Sequence, residues 1–176
     1  MVRYAIVGTG RMGNAHASQL SHIEHTEIAG SYDLIPERAL EFQKKYGGQV
    51  CNSLQELVAL PNLDCLIITT PTYCHAEAIY AAKAAGLNIF CEKPLCRQPK
   101  EAEELLAAMQ DYPRLFTVGF VRRHMSKTLK ARQILASGQL GHLRYCNIDL
   151  PVGMYRRMPG DWFADFEKCG GATLDM

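Results

Sequence analysis

Short apolar runs alternate with helix-length amphipathic segments between Met1 and Gly119. Several runs are almost continuously apolar, which is typical of strands that helices cover on both faces of a sheet. The runs that predict strands are 4–8, 27–32, 49–51, 65–70, 88–91 and 115–120. This alternation predicts βαβ units around a parallel sheet, the doubly wound α/β class.

The helical segments have recognisable ends. Pro36 stands at a first-turn position, Ser53 is placed to cap the segment after it, and Gly86 ends a helix that starts near Tyr73. The predicted helices are 11–20, a segment beginning at Pro36, 54–60, 73–86 and 99–110.

The pattern changes after Gly119. Residues 126–138 follow the period of an amphipathic helix, and residues 143–152 alternate apolar and polar positions as a strand of an antiparallel sheet does. We therefore predict a first domain at 1–120 and the start of a second, α+β domain at 121–176.

Composition narrows the function classes. The 176 residues are 48% hydrophobic and carry 19 basic and 18 acidic side chains, so no charge imbalance indicates nucleic acid or an anionic membrane as a partner. No apolar stretch is long enough to span a bilayer, and the amino terminus lacks the pattern of a signal peptide, so we expect a cytoplasmic protein. Seven cysteines without a C-x-x-C pair indicate reduced thiols rather than a metal site or a disulfide framework.

The segment VGTGRMG places Gly8, Gly10 and Gly13 in the spacing G-x-G-x-x-G, directly after the first predicted strand and at the head of a predicted helix. Glycines at these positions allow a tight turn, close approach of the backbone to a pyrophosphate, and close packing of helix on strand. The amino terminus of the helix favours the phosphate charge. This context predicts a dinucleotide site that includes the intervening Arg11 and Met12.

Asp33 follows the second predicted strand, twenty positions after Gly13. An acidic residue at this place accepts hydrogen bonds from the adenosine ribose hydroxyls and opposes a 2′-phosphate. NAD is therefore favoured over NADP as the cofactor, although Arg11 and Arg38 stand where they could soften that repulsion. The alternative is that the glycines serve turn geometry alone and that Asp33 caps the next helix.

The segment FCEKPLC places Glu92, Lys93 and Pro94 at the carboxyl edge of the predicted sheet, where open α/β sheets bind ligands. Lys93 is well placed there to donate to a substrate oxygen or to the nicotinamide amide, and Glu92 is assigned to the cofactor site with it. For this tripeptide alone, the alternative is a surface lysine paired with Glu92.

The motifs, in their order along the chain, resemble those of the Gfo/Idh/MocA oxidoreductase family. They are GTGRMG, Asp33, TPTYCHAEA (70–78), FCEKPL, VGFVRRH (118–124) and EKCGGATLDM (167–176). The resemblance implies a Rossmann domain followed by a domain with a large open antiparallel sheet. It also implies NAD(P)-dependent oxidation of a secondary hydroxyl on a sugar, cyclitol or related small molecule, by a protein that forms homo-oligomers at full length.

The resemblance assigns roles to further residues. Thr70, Pro71 and His75 match the loop that borders the cofactor, with a first-turn polar cap as the alternative for His75. Lys93 matches the lysine that positions nicotinamide and substrate. A segment near the cleft, where the substrates of the family vary, is matched by Arg122, Arg123 and His124. The alternative for this segment is a solvated junction between domains.

Asp175 matches the aspartate of a G-G-x-x-x-D-x-G-x-H motif, and the resemblance gives it a catalytic role beside Lys93. The histidine of that motif, generally the acid/base, would lie three residues beyond Met176. We therefore expect the chain to be a fragment of a longer oxidoreductase that binds cofactor and turns over poorly by itself. The alternative is a non-catalytic NAD-binding sensor or partner-binding module that lacks the substrate domain.

Overall fold

A six-stranded parallel sheet forms the centre of the protein. The structure is a computed structural model that describes residues 1–149, 162 and 165–170. The strands are β1 (Val2–Val7), β2 (Thr26–Tyr32), β3 (Gln49–Val50), β4 (Cys65–Ile68), β5 (Asn88–Cys91) and β6 (Phe116–Val118). All five neighbouring pairs are parallel. The predicted doubly wound parallel sheet is confirmed.

The strand order β3-β2-β1-β4-β5-β6 reverses direction between β1 and β4. Loops that leave these two strands turn away from each other, so a crevice forms at the carboxyl ends of the strands. The residues that follow β1, β2, β4 and β5 therefore meet around one opening.

The helices cover both faces of the sheet. They are α1 (Arg11–Leu20), α2 (Pro36–Tyr46), α3 (Leu54–Val58), α4 (His75–Ala84), α5 (Pro99–Met109), α6 (Ser126–Ala136) and α7 (Phe166–Cys169), with 3₁₀ helices at Thr72–Cys74 and Val121–His124. The start signals predicted from the sequence are confirmed at α2, which has proline in its first turn, and at α3, where the hydroxyl of Ser53 accepts from the Glu56 amide at 3.1 Å.

Alternate residues of the central strands pack on opposite faces of the sheet. Ala5 and Val7 of β1 belong to a core cluster with Ile79 of α4, whereas Tyr4 and Ile6 belong to a second cluster with residues of α1 and α2. Because both faces of β1 are buried, its sequence is a nearly continuous apolar run rather than an alternating one.

The region after β6 differs from the prediction. Helix α6 forms where it is predicted, although none of its residues is buried by the described part of the chain. The prediction of a strand at 143–152 is wrong for residues 143–149, which form no strand, and residues 150–152 lie outside the described residues. Alternating side chains set the two faces of a strand, but a strand also needs a neighbouring backbone to hydrogen-bond, and the described residues place none beside 143–149.

Candidate functional site

The glycine turn joins β1 to α1 with little space to spare. Gly8 has φ +89°, a region that L side chains rarely adopt, and a Cβ there would lie 2.7 Å from the backbone nitrogen of Thr70. A Cβ on Gly13 would clash with the carbonyl oxygen of Gly8. The hydroxyl of Thr69, after β4, donates to that same carbonyl at 2.5 Å. The turn is therefore locked against the loop that follows β4.

Gly10 differs from its two neighbours in the motif because the space above it is open. A Cβ at Gly10 would meet nothing within 4 Å among the described residues. No side chain of the described residues caps the start of α1, and its first turn holds no acidic residue. An open, uncapped helix amino terminus attracts anions through its backbone N–H groups and its dipole. These residues fit the pyrophosphate of a dinucleotide.

Asp33 lies just after β2 and is fixed by three hydrogen bonds. Its Oδ2 accepts from the amide of Thr9 at 2.7 Å and from the hydroxyl of Thr9 at 3.1 Å. Its Oδ1 accepts from the amide of Ile35 at 2.9 Å. The carboxylate is therefore held at the edge of the crevice, where its remaining lone pairs suit a ribose diol.

A cleft of about 1070 Å³ opens at this carboxyl edge of the sheet. Most of the residues that the sequence assigns to cofactor binding border it, namely Gly8, Gly10, Arg11, Met12, Asp33, Thr70, Pro71, Glu92 and Lys93. Arg38, which the sequence places near Asp33, borders it as well. The structure thus brings together residues that lie more than eighty positions apart in the chain. Gly13 and His75, which the sequence also assigns to cofactor binding, are not among the residues that border the cleft.

His75 is a buried bridge rather than an exposed helix cap. It is 1% exposed, and its Nδ1 and Nε2 each lie 3.0 Å from a carbonyl oxygen, of Pro94 and Thr70 respectively. A neutral imidazole carries one N–H, so it donates to one of these carbonyls at a time. Burial lowers the pKa of His75, and hydrogen bonds to the carbonyls oppose this effect. His75 therefore joins the Thr70 loop to the Lys93–Pro94 turn.

Glu92 and Lys93 follow β5 at the opposite side of the cleft from Asp33. The Lys93–Pro94 peptide bond is cis. Glu92 is 8% exposed, its Oε2 accepts from the Lys93 amide at 3.1 Å, and its Oε1 lies 2.7 Å from Nε2 of His16. The alternative of a lysine paired with Glu92 stays a prediction, because the buried carboxylate of Glu92 interacts with both the amide and the charge of Lys93.

Trp162 and Lys168, which lie late in the chain, also border the cleft and have no assigned role in the sequence-based site. Helix α7 packs on the 3₁₀ helix Thr72–Cys74, and Nη1 of Arg97 donates to the carbonyl of Glu167 at 2.9 Å. These contacts bring Lys168 to the cleft from a segment distant in sequence. The EKCGGATLDM motif was the only signal for it, since Lys168 lies inside that motif.

The predicted substrate residues Arg122, Arg123 and His124 form the exposed 3₁₀ helix after β6. The guanidinium of Arg123 lies over the ring of Phe120, 5.1 Å from its centroid. The preceding residue, Val121, borders the cleft, so the three side chains stand at its rim and their contact with substrate stays a prediction. Asp175 lies outside the described residues.

Within the described residues, no three His, Cys, Asp or Glu side chains gather closely enough to hold a metal ion. Over the same residues, none of the helices combines the length and the apolar character that crossing a bilayer requires.

Several proteins of known sequence or structure are similar to this chain. An uncharacterized oxidoreductase of Streptococcus pneumoniae is 31% identical over 97% of this chain and 46% of its own length. Inositol 2-dehydrogenase of Rhizobium meliloti is 29% identical over 99% of this chain and 51% of its own length. The chain therefore spans about half the length of these relatives.

Solved structures agree with the sequence relatives. The crystal structure of scyllo-inositol dehydrogenase from Lactobacillus casei, with bound NAD(H) and scyllo-inositol, superposes with a TM-score of 0.75 at 26% identity. The match covers 80% of this chain and 42% of that one. The model of the Gfo/Idh/MocA oxidoreductase family, described as an NAD-binding Rossmann fold, matches residues 2–120. The chain belongs to this family.

Proposed function

We propose that this chain is the cofactor-binding part of an NAD-dependent oxidoreductase that oxidises a secondary hydroxyl of a cyclitol or sugar-like polyol. One observation supports it most strongly: a single cleft is bordered by Asp33 after β2, by the open helix end at Gly10 after β1, and by Lys93 after β5. In the strand order, the glycine turn lies between the two charged residues. This order supports contacts to ribose, pyrophosphate and nicotinamide, in that sequence, along one extended dinucleotide.

Asp33 and the glycine turn would bind the adenosine half. The fixed carboxylate accepts from the ribose hydroxyls, and the first amides of α1 donate to the pyrophosphate. A 2′-phosphate would be repelled by Asp33, while Arg11 and Arg38 at the same cleft would reduce that repulsion. NAD is the favoured cofactor on this arrangement.

At the other end, Lys93 would orient the reacting groups. Bound nicotinamide supplies the acceptor for the hydride that leaves the substrate C–H bond, and the hydroxyl proton must pass to a base. The Lys93 ammonium donates to the hydroxyl oxygen or to the nicotinamide amide, which holds the C–H bond in line. Asp175 is the residue of this chain that we assign, together with Lys93, to orienting the hydroxyl and tuning that base.

The substrate class is supported by the relatives. Inositol 2-dehydrogenase and scyllo-inositol dehydrogenase are named for cyclitols, and a cleft with ammonium groups at Lys93 and Lys168 offers donors to several hydroxyls. Arg122, Arg123 and His124 at the rim are the residues that we expect to distinguish one polyol from another.

The setting of the full protein is also a proposal. All seven cysteines are free thiols, which fits a reducing compartment such as the cytoplasm. Burial raises the pKa of Cys51 and Cys65 to about 11, so these two thiols are expected to be unreactive. Leu129 and Leu135 of α6 are 42% and 47% exposed, which fits a second domain beginning at 121 that packs and oligomerises through this region. Light scattering of the protein expressed from its own gene checks the oligomer, and a monomer would contradict it.

The test of the function is polyol oxidation by the protein expressed from its own gene. NADH formation from NAD is followed with myo-inositol, scyllo-inositol and sugar-like polyols, for wild type and for Lys93→Met. We expect at least one polyol to be oxidised by wild type and the rate to fall about 10²-fold or more in the variant, because a positioning group at the reacting centre is lost. NADH binding without oxidation of any polyol would favour a sensor instead.

A further inference from the structure

His16 lies on α1 directly behind the Lys93 turn, although the sequence motifs assign it no role. Its Nε2 lies 2.7 Å from Oε1 of Glu92, and its ring meets Phe90 edge-on with the centroids 5.0 Å apart. Because Glu92 is 8% exposed, its carboxylate depends on polar partners inside the protein. His16 is the partner that α1 contributes.

Glu92 extends this contact to Lys93. The second carboxylate oxygen, Oε2, accepts from the backbone amide of Lys93 at 3.1 Å, so two different elements hold the two oxygens. Gly119, after β6, packs close to this carboxylate, since a Cβ built on it would lie 3.3 Å from Oε1. The orientation of the Lys93 backbone thus follows from Glu92, and that of Glu92 follows from His16.

We propose that His16 is a positioning residue that holds Glu92 so that Lys93 presents its ammonium group to the nicotinamide end of the cleft. The inference rests on the proposed function, because His16 has this role only if Lys93 meets the cofactor. His16 connects helix α1, which would receive the pyrophosphate, to the Lys93 turn, which would meet the nicotinamide. A bound dinucleotide would therefore contact both ends of the hydrogen-bonded series His16, Glu92 and Lys93.

The groups around Glu92 favour its ionised form. Burial acts to raise the pKa of this carboxyl, but the hydrogen bond and charge of His16, followed by the amide and charge of Lys93, bring it below the ordinary value. Within the described part of the chain, His75 of α4 and Cys91 of β5 also interact electrostatically with it. Removal of the His16 N–H therefore raises the pKa of Glu92, and protonation of Glu92 breaks the same chain of contacts.

Binding of two ligands distinguishes a role of His16 in positioning Lys93 from a role in the stability of the whole fold. NADH carries the nicotinamide, and ADP-ribose shares its adenosine and pyrophosphate but lacks that ring. Each is titrated into the 176-residue chain as wild type and as His16→Phe, which keeps a ring beside Phe90 and removes the N–H. We expect NADH to bind roughly tenfold more weakly to the variant, as for loss of a charge-assisted hydrogen bond, while ADP-ribose binds unchanged.

A rescue, a matched control and a pH profile complete the experiment. His16→Gln restores an N–H donor and should recover most of the NADH affinity. His22→Phe, at the exposed site where the ring meets the Ser18 carbonyl, should leave both ligands unaffected. The acidic limb of NADH binding should move to higher pH in His16→Phe, because the pKa of Glu92 rises.

Equal NADH affinity in wild type and His16→Phe overturns the inference, and so does an equal weakening of both ligands, which would mean a structural role alone. Failure of the proposed function looks different. In that case wild type does not bind NADH, or Lys93→Met binds NADH as tightly as wild type does.

Discussion

At the scale of single residues, Asp33 shows how hydrogen bonds to the backbone can prepare a cofactor contact. The amides of Thr9 and Ile35 each donate to one of its oxygens, at 2.7 and 2.9 Å. A carboxylate held from both sides cannot rotate out of the cleft, so it meets the ribose without losing side-chain entropy on binding.

Asp33→Ala removes both the ribose acceptor and the repulsion of a 2′-phosphate. We expect the Kd for NADH to rise roughly tenfold or more, since hydrogen bonds to a charged acceptor are lost, and the Kd for NADPH to fall or to stay unchanged. Fluorescence titration with both cofactors measures the two constants. An unchanged ratio of the two Kd values would mean that Asp33 does not contact the ribose.

His75 makes a prediction about pH. Burial lowers its pKa from the ordinary value of 6.5, so the unfolded chain binds the proton more readily than the folded protein does. Stability from this group is therefore fully present above pH 6.5 and decreases as the pH falls below that value. His75→Gln can still donate one hydrogen bond but does not titrate, so urea unfolding between pH 7.5 and 5.5 should show a shallower decline of stability in the variant. Identical slopes would contradict the account.

At the scale of elements, the glycine turn gives opposite predictions for two neighbouring glycines. Gly13→Ala forces a methyl group against the carbonyl of Gly8, so we expect a loss of about 1–3 kcal/mol in the free energy of unfolding. Gly10→Ala meets nothing within 4 Å, so its stability should match wild type while NADH binding falls at least tenfold, because the methyl group occupies the pyrophosphate position. Thermal melts and NADH titration of both variants check this, and a Gly10→Ala chain that binds normally would place the pyrophosphate elsewhere.

The sequence predicts the elements better than it predicts the contacts of the site. Strands and helix starts follow from local patterns, and the glycine turn with Asp33 follows from a motif within one βαβ unit. The contact between His16 and Glu92 spans 76 positions, and no local pattern pairs residues so far apart. A usable signal was present, because His16 stands three residues after Gly13 and so shares its sheet-facing side of α1. At 143–152 the sequence predicts an element that residues 143–149 do not form. Alternation of apolar and polar residues favours a strand but does not provide a neighbouring strand to pair with it.

At the scale of the whole molecule, Arg97 connects the Rossmann sheet to the segment 165–170. Its Nη2 donates to Oε1 of Glu101 at 2.7 Å, while Nη1 reaches the carbonyl of Glu167. The contact with Glu101 orients the guanidinium of Arg97 toward the carbonyl of Glu167. The segment that carries Lys168 is therefore held beside the cleft.

Arg97→Met should release this segment without unfolding the sheet. We expect faster hydrogen exchange of the amides in 165–170 and unchanged exchange in β1, because the lost contacts lie at the surface of the Rossmann unit. Exchange measured by mass spectrometry after proteolysis reports both regions. Glu104→Gln removes only an exposed ion pair with Lys100 and serves as the control. Equal exchange of 165–170 in wild type and Arg97→Met would show that α7 is held by other contacts.

The central claim is that the cleft between Asp33 and Lys93 binds one dinucleotide. Isothermal titration of NADH into the wild-type chain, beside Gly10→Ala, tests it most directly. The account predicts one site per chain in wild type and a binding constant at least tenfold weaker in the variant. No binding to wild type, or equal binding to both proteins, would contradict it.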